Sequence, residues 1–327
     1  MISITKKTQF SAAHFYWNSD YSETKNEQIF HACSNRHGHG HNYEVYVTVA
    51  GEIDPQTGMV VNLKDLKEIL QTQILDPLDH KHLNHQVPFF KDRIPTLENI
   101  TYYLWDALSP DVSDLGLQLQ TLKVVENHRL YAEYSGPQKR LAQLHKREST
   151  PMIYNPPEAP HITSIPQTEV TPEDTLPVDR IVHLTCRYDF SASHRLFNPE
   201  FSDEQNEEVF KQCNNPNGHG HNYELDVTIA GTPTKETGMV MDIMDLDELV
   251  NQHIIRHVDH KHLNLDVDFF EGVIPTAENI VAVFWQKLKN QLPKGIRLYR
   301  LKLYESKNNT AEYYGETAAT ESELLHA

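Results

Sequence analysis

The chain is written twice, and that duplication limits the fold to one that two similar halves can each adopt. Phe10-Ser11-Ala12-Ala13-His14 answers Phe190-Ser191-Ala192-Ser193-His194 at an offset of 180 residues. The same offset carries Cys33 to Cys213, Gly38-His39-Gly40-His41-Asn42-Tyr43-Glu44 to residues 218–224, and Asp79-His80-Lys81-His82-Leu83-Asn84 to residues 259–264. It also relates Gly58-Met59-Val60 to Gly238-Met239-Val240, Pro95-Thr96 to Pro275-Thr276 and Glu98-Asn99-Ile100 to Glu278-Asn279-Ile280. The register slips by one only near the end, where Glu126 meets Glu305. Two domains follow, residues 1–136 and 180–316, with a polar tail at 317–327. Between the domains, residues 137–179 include Pro151, Pro156, Pro157, Pro160, Pro166, Pro172 and Pro177, a density that suits an extended connector. Its first part, residues 138–148, can still form a helical turn or two.

Within each copy the pattern reads strand, strand, helix, helix, strand, strand. Residues 2–10 have strand composition, and the polar stretch 21–30 has room for a short helix. Residues 43–50 and 59–61 read as an antiparallel hairpin whose connection carries Pro55 and Gly58. Leu63, Leu66, Ile69, Leu70 and Ile74 follow helical spacing, and Pro77 is expected to stop that helix. Thr96 is a plausible N-cap for a second helix that buries Leu97, Ile100, Leu104, Trp105 and Leu108. Residues 117–125 and 131–134 close the unit as another hairpin. The fold class is α+β, an antiparallel sheet with two helices on one face.

The balance of 29 Lys+Arg against 46 Asp+Glu gives a formal charge of −17, which argues against a nucleic-acid-binding surface or an anionic-membrane anchor. An anionic small substrate stays open, because a bound cation decides the local field. No apolar run approaches a membrane span and the first residues lack a signal-peptide layout, so the expected address is cytoplasmic. Cys33, Cys186 and Cys213 show no framework spacing and read as reduced thiols.

His39 with His41, and His219 with His221, stand at i and i+2 just before strand-like runs. On a strand such positions share a face, so both rings can reach one metal ion. An isolated pair of this kind is usually two surface histidines. Here each copy supplies a third, His14 or His194, and all six persist although the copies have diverged elsewhere, as at Lys25 against Gln205. Three histidines with an open fourth position suit a catalytic metal. Imidazole ligands favour zinc over calcium or magnesium, and ligand type alone leaves iron, nickel and copper open. His37 is not assigned, because its counterpart is Asn217, and His82 with His262 also stay unassigned.

Cys33 and Cys213 precede the first histidine of each pair by six positions. Near a cation such a thiol can be a thiolate and act as base or nucleophile; the bland reading is a small buried residue. Cys186 faces Lys6 in the offset and reads as packing. Asp79-His80 and Asp259-His260 can form a tuned proton shuttle or simply a polar loop. Glu126 and Glu305 lie among apolar strand residues, where a carboxylate needs either a donor pair on a ligand or a structural ion pair. Glu98 and Glu278 open a helix, and the helix dipole accounts for them.

Together, Phe-Ser-Ala-x-His, Cys-x5-His-Gly-His-Asn-Tyr, Asp-His-x-x-Leu, Pro-Thr-x-Glu-Asn and the late strand glutamate resemble the 6-pyruvoyl-tetrahydropterin synthase family. The stretch Cys213 to Tyr223 is especially similar to the animal type, and the first copy departs at Ser34, Arg36 and His37. The resemblance implies a tunnelling fold, whose sheets join edge to edge into a barrel on oligomerisation. It implies zinc held by His14, His39 and His41 and by His194, His219 and His221. Dihydroneopterin triphosphate is the implied substrate, and loss of triphosphate gives 6-pyruvoyl-tetrahydropterin, a step toward tetrahydrobiopterin. Cys33 or Cys213 would move a proton, Asp79-His80 or Asp259-His260 would complete the relay, and Glu126 or Glu305 would grip the pterin and join in catalysis. Three chains would supply six domains as two stacked three-domain barrels. The alternatives are 6-carboxy-tetrahydropterin synthase of the queuosine route, which releases acetaldehyde, and a non-catalytic metal- or pterin-binding module.

Overall fold

A computed structural model describes residues 1–137 and 180–315. The proposed connector beyond residue 137, its helical turns at 138–148 and the tail at 317–327 lie outside the described residues. In the first copy the strands are β1 (Ile2–His14), β2 (His39–Gly51), β3 (Lys81–His82), β4 (Gln118–Val125) and β5 (Leu130–Tyr134). The second copy repeats them as β6 (Val182–His194), β7 (His219–Gly231), β8 (Lys261–His262), β9 (Arg297–Ser306) and β10 (Asn309–Tyr313). All ten belong to one sheet in the order β10-β9-β7-β6-β5-β4-β2-β1-β3, with β8 on β6. Pairing is antiparallel except for the short β3 on β1 and β8 on β6.

Alternation explains the layering. Tyr43, Val45, Val47 and Val49 of β2 point into the core, while Glu44, Tyr46 and Thr48 face the other side and stay partly open. The core face is covered by helix Leu97–Asp114 and its counterpart Ala277–Leu288. Thr96 caps the first of these, its hydroxyl accepting the Asn99 N–H at 3.3 Å. Ile100, Leu104 and Leu108 are fully buried beneath it, each worth about 1.5–3 kcal/mol of apolar burial. Among the described residues no helix is long and apolar enough to cross a membrane.

Two expectations are corrected. Residues 59–61 form no strand: they are a turn, closed by Gly58 N–H to Asp54 C=O and Asp54 N–H to Met59 C=O, and β2 pairs instead with β1 and β4. Pro77 does not end its helix. Helix Leu63–Leu70 passes through a π-helical turn, Gln71–Leu75, into Asp76–Leu78, and a proline at the start of that last turn has no N–H to leave unpaired. The second copy has the same π turn with His257 in place of Pro77, so the proline does not cause it.

β5 pairs with β6, Leu130 opposite Cys186 and Glu133 opposite His183, so the two copies of a chain already share one sheet. A ring built from whole chains joined this way holds an even number of copies. Contacts across this junction are specific: Arg180 forks onto Asp106 at 2.8 and 2.9 Å, Arg129 meets Asp247 at 3.1 Å, and the Thr96 hydroxyl donates to the Gly238 carbonyl at 2.7 Å.

Candidate metal and catalytic site

The β1–β2 ladder builds the centre of each site. Its register places His14, the last residue of β1, directly opposite His39, the first of β2, and His41 projects from the same face two residues on. One nitrogen from each of His14, His39 and His41 lies within 4.8 Å of the other two, and His194, His219 and His221 repeat this arrangement. Glycine is required at Gly38, where φ is +79° and a Cβ would stand 2.7 Å from His82 Nε2. Gly218 makes the same approach to His262. The two histidines left unassigned from the sequence therefore pack behind the glycine of each motif.

Hydrogen bonding fixes how these rings can act. His14 Nδ1 lies 2.8 Å from the Pro95 carbonyl, an acceptor only, so the ring proton sits on Nδ1 and Nε2 presents a lone pair. That Nε2 is 3.2 Å from His39 Nε2, and in the second copy His194 and His219 approach to 3.1 Å. His41 Nε2 and His221 Nε2 are buried without a hydrogen-bond partner. Burial, with the neighbouring rings, pulls His14 down to about 3 and His41 down to about 4, and burial lowers His39 as well. Three neutral imidazoles with converging lone pairs fit a metal ion. Two nitrogens on a tetrahedral zinc stand about 3.3 Å apart at ordinary bond lengths.

Glu126, immediately after β4, turns toward the histidines with Oε1 3.8 Å from His41 Nε2, and its Oε2 is buried without a partner. Burial, then the nearby Glu98, pushes its carboxyl up to about 7. Glu305, on β9, stands 3.7 Å from His194 and 3.9 Å from His221 and accepts from Asn309 Nδ2 at 2.5 Å. Cys33 lies in a 3-10 turn, His31–Ser34, pinned by Tyr16 N–H to its carbonyl at 2.7 Å, and Leu196 N–H holds Cys213 at 2.9 Å. The expected thiolate is not favoured by the protein alone. Burial and the carboxylates of Glu126 and Asp242 push the Cys33 thiol up to about 11.

Asp79 and His80 form a dyad, Oδ2 to Nδ1 at 2.8 Å, and Asp259 with His260 form another at 2.9 Å. Asp79 Oδ1 accepts the Ser11 N–H at 2.8 Å, and His80 N–H donates to the Ser11 carbonyl at 2.7 Å. These bonds hold His80 at φ +56°, with its side chain 83% exposed. His80 borders an open hollow of about 520 Å³ together with His41, and His260 borders one of about 530 Å³ with His221. No hydrogen bond or ion pair among the described residues joins either dyad to Cys33 or Cys213.

Two residues take part that the local pattern does not mark as part of the site: Glu98, read above from the helix dipole alone, and Asp242. Glu98 is 3% exposed and accepts the Val240 N–H of the second copy at 2.9 Å, so helix-dipole stabilisation is not its whole role. Its repeated Pro-Thr-x-Glu-Asn setting was the available signal. Asp242 lies 3.4 Å from His31 Nε2, bringing the second copy against the first site. Burial raises Glu98 from 4.5 to about 7. Between those values the folded chain binds the proton that the unfolded chain has lost. Stability therefore falls as pH rises from about 4.5 to 7, by about 1–3 kcal/mol from this group. Glu98→Gln keeps an acceptor and should flatten that part of the slope; melting temperatures across the window check it.

A family model described as 6-pyruvoyl tetrahydropterin synthase matches residues 3–137 and again 183–316. The chain belongs to the 6-pyruvoyl tetrahydropterin synthase family. Human 6-pyruvoyl tetrahydrobiopterin synthase is 47% identical over 130 residues, 40% of this chain and 89% of the relative. A relative from Archaeoglobus fulgidus, provisionally named a 6-carboxy-5,6,7,8-tetrahydropterin synthase, is 37% identical over 94 residues, 29% of this chain and 73% of the relative. The solved structure of Caenorhabditis elegans 6-pyruvoyl tetrahydropterin synthase is 37% identical, covering 42% of this chain and 96% of its own, with a TM-score of 0.40. Family membership makes the chain an enzyme of the pterin synthase kind, as the sequence resemblance implied, with two synthase copies in tandem.

Proposed function

We propose that each copy holds one zinc ion on its three histidines and converts 7,8-dihydroneopterin triphosphate to 6-pyruvoyl-tetrahydropterin with loss of triphosphate. The observation that carries this reading is the convergence, in both copies, of three imidazoles with a glutamate within 4 Å of one or two of them. Zinc at such a site supplies a Lewis acid that lowers the pKa of a substrate hydroxyl. Glu126 and Glu305 accept paired hydrogen bonds from the pterin edge; the unpartnered Oε2 of Glu126 supports this role. Cys33 and Cys213 take and return the side-chain proton at Sγ. Glu126 and Asp242 hold the proton on Cys33, and a cation among the histidines opposes them. Asp79 and Asp259 orient His80 and His260, whose exposed rings pass protons toward solvent or a neighbouring copy.

The assembly supporting this is a cytoplasmic homo-oligomer of two-domain chains closed into a barrel. The edge of β1 from Ser3 to Lys6 corresponds to the stretch of β6 that takes β5, and β10 corresponds to β5, so the two ends of the sheet are complementary. Glu278 is exposed and Val60 half-buried, whereas their counterparts Glu98 and Val240 are buried and bonded to each other within the chain. Three chains remain one such count, as a single ring of six copies; a solution mass of one chain would exclude closure. The reaction is tested by incubating zinc-loaded protein with dihydroneopterin triphosphate and identifying products by mass. Pyruvoyl-tetrahydropterin and triphosphate are expected. Acetaldehyde with carboxypterin would move the chain to the queuosine route, and no consumption would leave a binding module.

A further inference from the structure

A cleft of about 870 Å³ runs between the two copies beside the first site. Its wall includes Phe15, the residue after His14, and Ile94, which precedes the Pro95 carbonyl that holds His14. Arg36, Lys91 and Arg93 line it from the first copy, and Lys235 with Glu236 from the second. The Arg36 guanidinium rests 4.4 Å from the Trp17 ring and that of Arg93 4.3 Å from Phe89. Aromatic faces thus orient both forks and leave their N–H groups available. Ion pairs among the described residues engage Arg129, Arg180, Arg187 and Arg300, but not Arg36, Lys91 or Arg93.

The second copy is an internal control. At the equivalent positions Arg36 becomes Pro216, Lys91 becomes Glu271 and Arg93 becomes Val273. One exchange runs the other way, Phe15 to Arg195, but that guanidinium is already bonded to Asn214 at 2.8 and 3.1 Å. The first wall carries three cations against Asp20 and Asp92, a formal +1; the second carries Arg195 against Glu200 and Glu271, a formal −1. In a chain of net charge −17, these three cations gather at one cleft and on one copy alone.

We propose that this cleft is an anion subsite belonging to the first copy only, shaped for a polyphosphate group. The polyphosphate is either the tail of a ligand seated at the first histidine cluster or the free ion. The assignment rests on the proposed reaction only for the first of these sources. The two copies then differ in how they hold a polyphosphate group: the first has these added cations for it, and the second binds its ligand without them.

Titrating the zinc-loaded full chain with inorganic tripolyphosphate by calorimetry tests the subsite without any turnover. One ion per chain is expected, bound more weakly as salt rises. The variant Lys91→Glu/Arg93→Val, which gives the first copy the residues of the second, should weaken binding at least about tenfold with unchanged metal content. The reverse variant, Glu271→Lys/Val273→Arg, should create a second site, which keeps the test informative if the first variant misfolds. Two equal sites in the natural chain, no binding, or binding indifferent to both variants would overturn the proposal. In a Cys213→Ala background, a raised KM for dihydroneopterin triphosphate in the Lys91→Glu/Arg93→Val variant identifies the substrate tail as the occupant. An unmoved KM with lost tripolyphosphate binding identifies the free ion.

Discussion

Replacing His14 with Ala lowers bound zinc from two ions per chain to one, and adding His194→Ala removes the second. His14 is wholly buried, and its Nδ1 is tied to the Pro95 carbonyl, so its Nε2 is the most rigidly aimed nitrogen of the cluster. Two half-buried imidazoles then remain in the first site. Changes in groups that merely orient a ligand cost about 10–100-fold in metal affinity, and loss of a ligand should cost more than about 100-fold. Deleting a buried ring also leaves a cavity, worth about 2–5 kcal/mol if it does not collapse. The metal count therefore needs a second variant free of that cost. His39→Ala serves, since its ring is half-exposed and tied less firmly. Metal analysis by mass spectrometry on folded protein reads both. Retention of two ions in either single variant would mean that the histidine cluster is not the binding site.

The double variant Cys33→Ala/Cys213→Ala should keep two zinc ions per chain and lose about 10²–10⁴-fold in turnover, the usual worth of a positioned acid–base group. Each single variant should remove only its own copy's share. The two cysteines do not stand in matching surroundings. Cys33 shares its environment with Glu126 and with Asp242 of the second copy, which keep its proton in place unless a cation is near. The position equivalent to Asp242 is Asn62, and His31, which pairs with Asp242, is Lys211 in the second copy. Rates measured for the two single variants over pH 6–9 should therefore differ in profile, not only in amplitude. Turnover that survives the double change intact would assign the proton transfer elsewhere.

The six histidines were legible in the sequence because two rules act at short range: i and i+2 share a strand face, and duplication preserved all six while neighbouring polar positions drifted. What brings His14 to the others is the thirteen-residue ladder from Ile2–Gly51 to His14–His39, visible beforehand only as a histidine closing a first strand. The helix over Leu97–Asp114 was legible from Thr96 and its buried stripe. Glu98 was not, since its partner Val240 lies 142 residues away and an acid in a first turn already has a local explanation. The π turn at Gln71–Leu75 leaves no mark in apolar spacing, because Leu66, Leu70 and Ile74 keep one face whether or not the helix widens. Residues 59–61 look like a strand by composition, yet their backbone serves a turn whose counterpart, Gly238 to Val240, docks on the other copy. A contact between copies decided the case of Glu98, and a local turn that of residues 59–61.

Zinc K-edge absorption spectroscopy on the zinc-loaded chain tests the central claim most directly, because it counts ligands by element. Three nitrogen neighbours at about 2.0–2.1 Å and one light oxygen are predicted for both copies, with the cysteines free to carry protons. A sulfur shell at about 2.3 Å would place Cys33 or Cys213 on the metal and contradict the account.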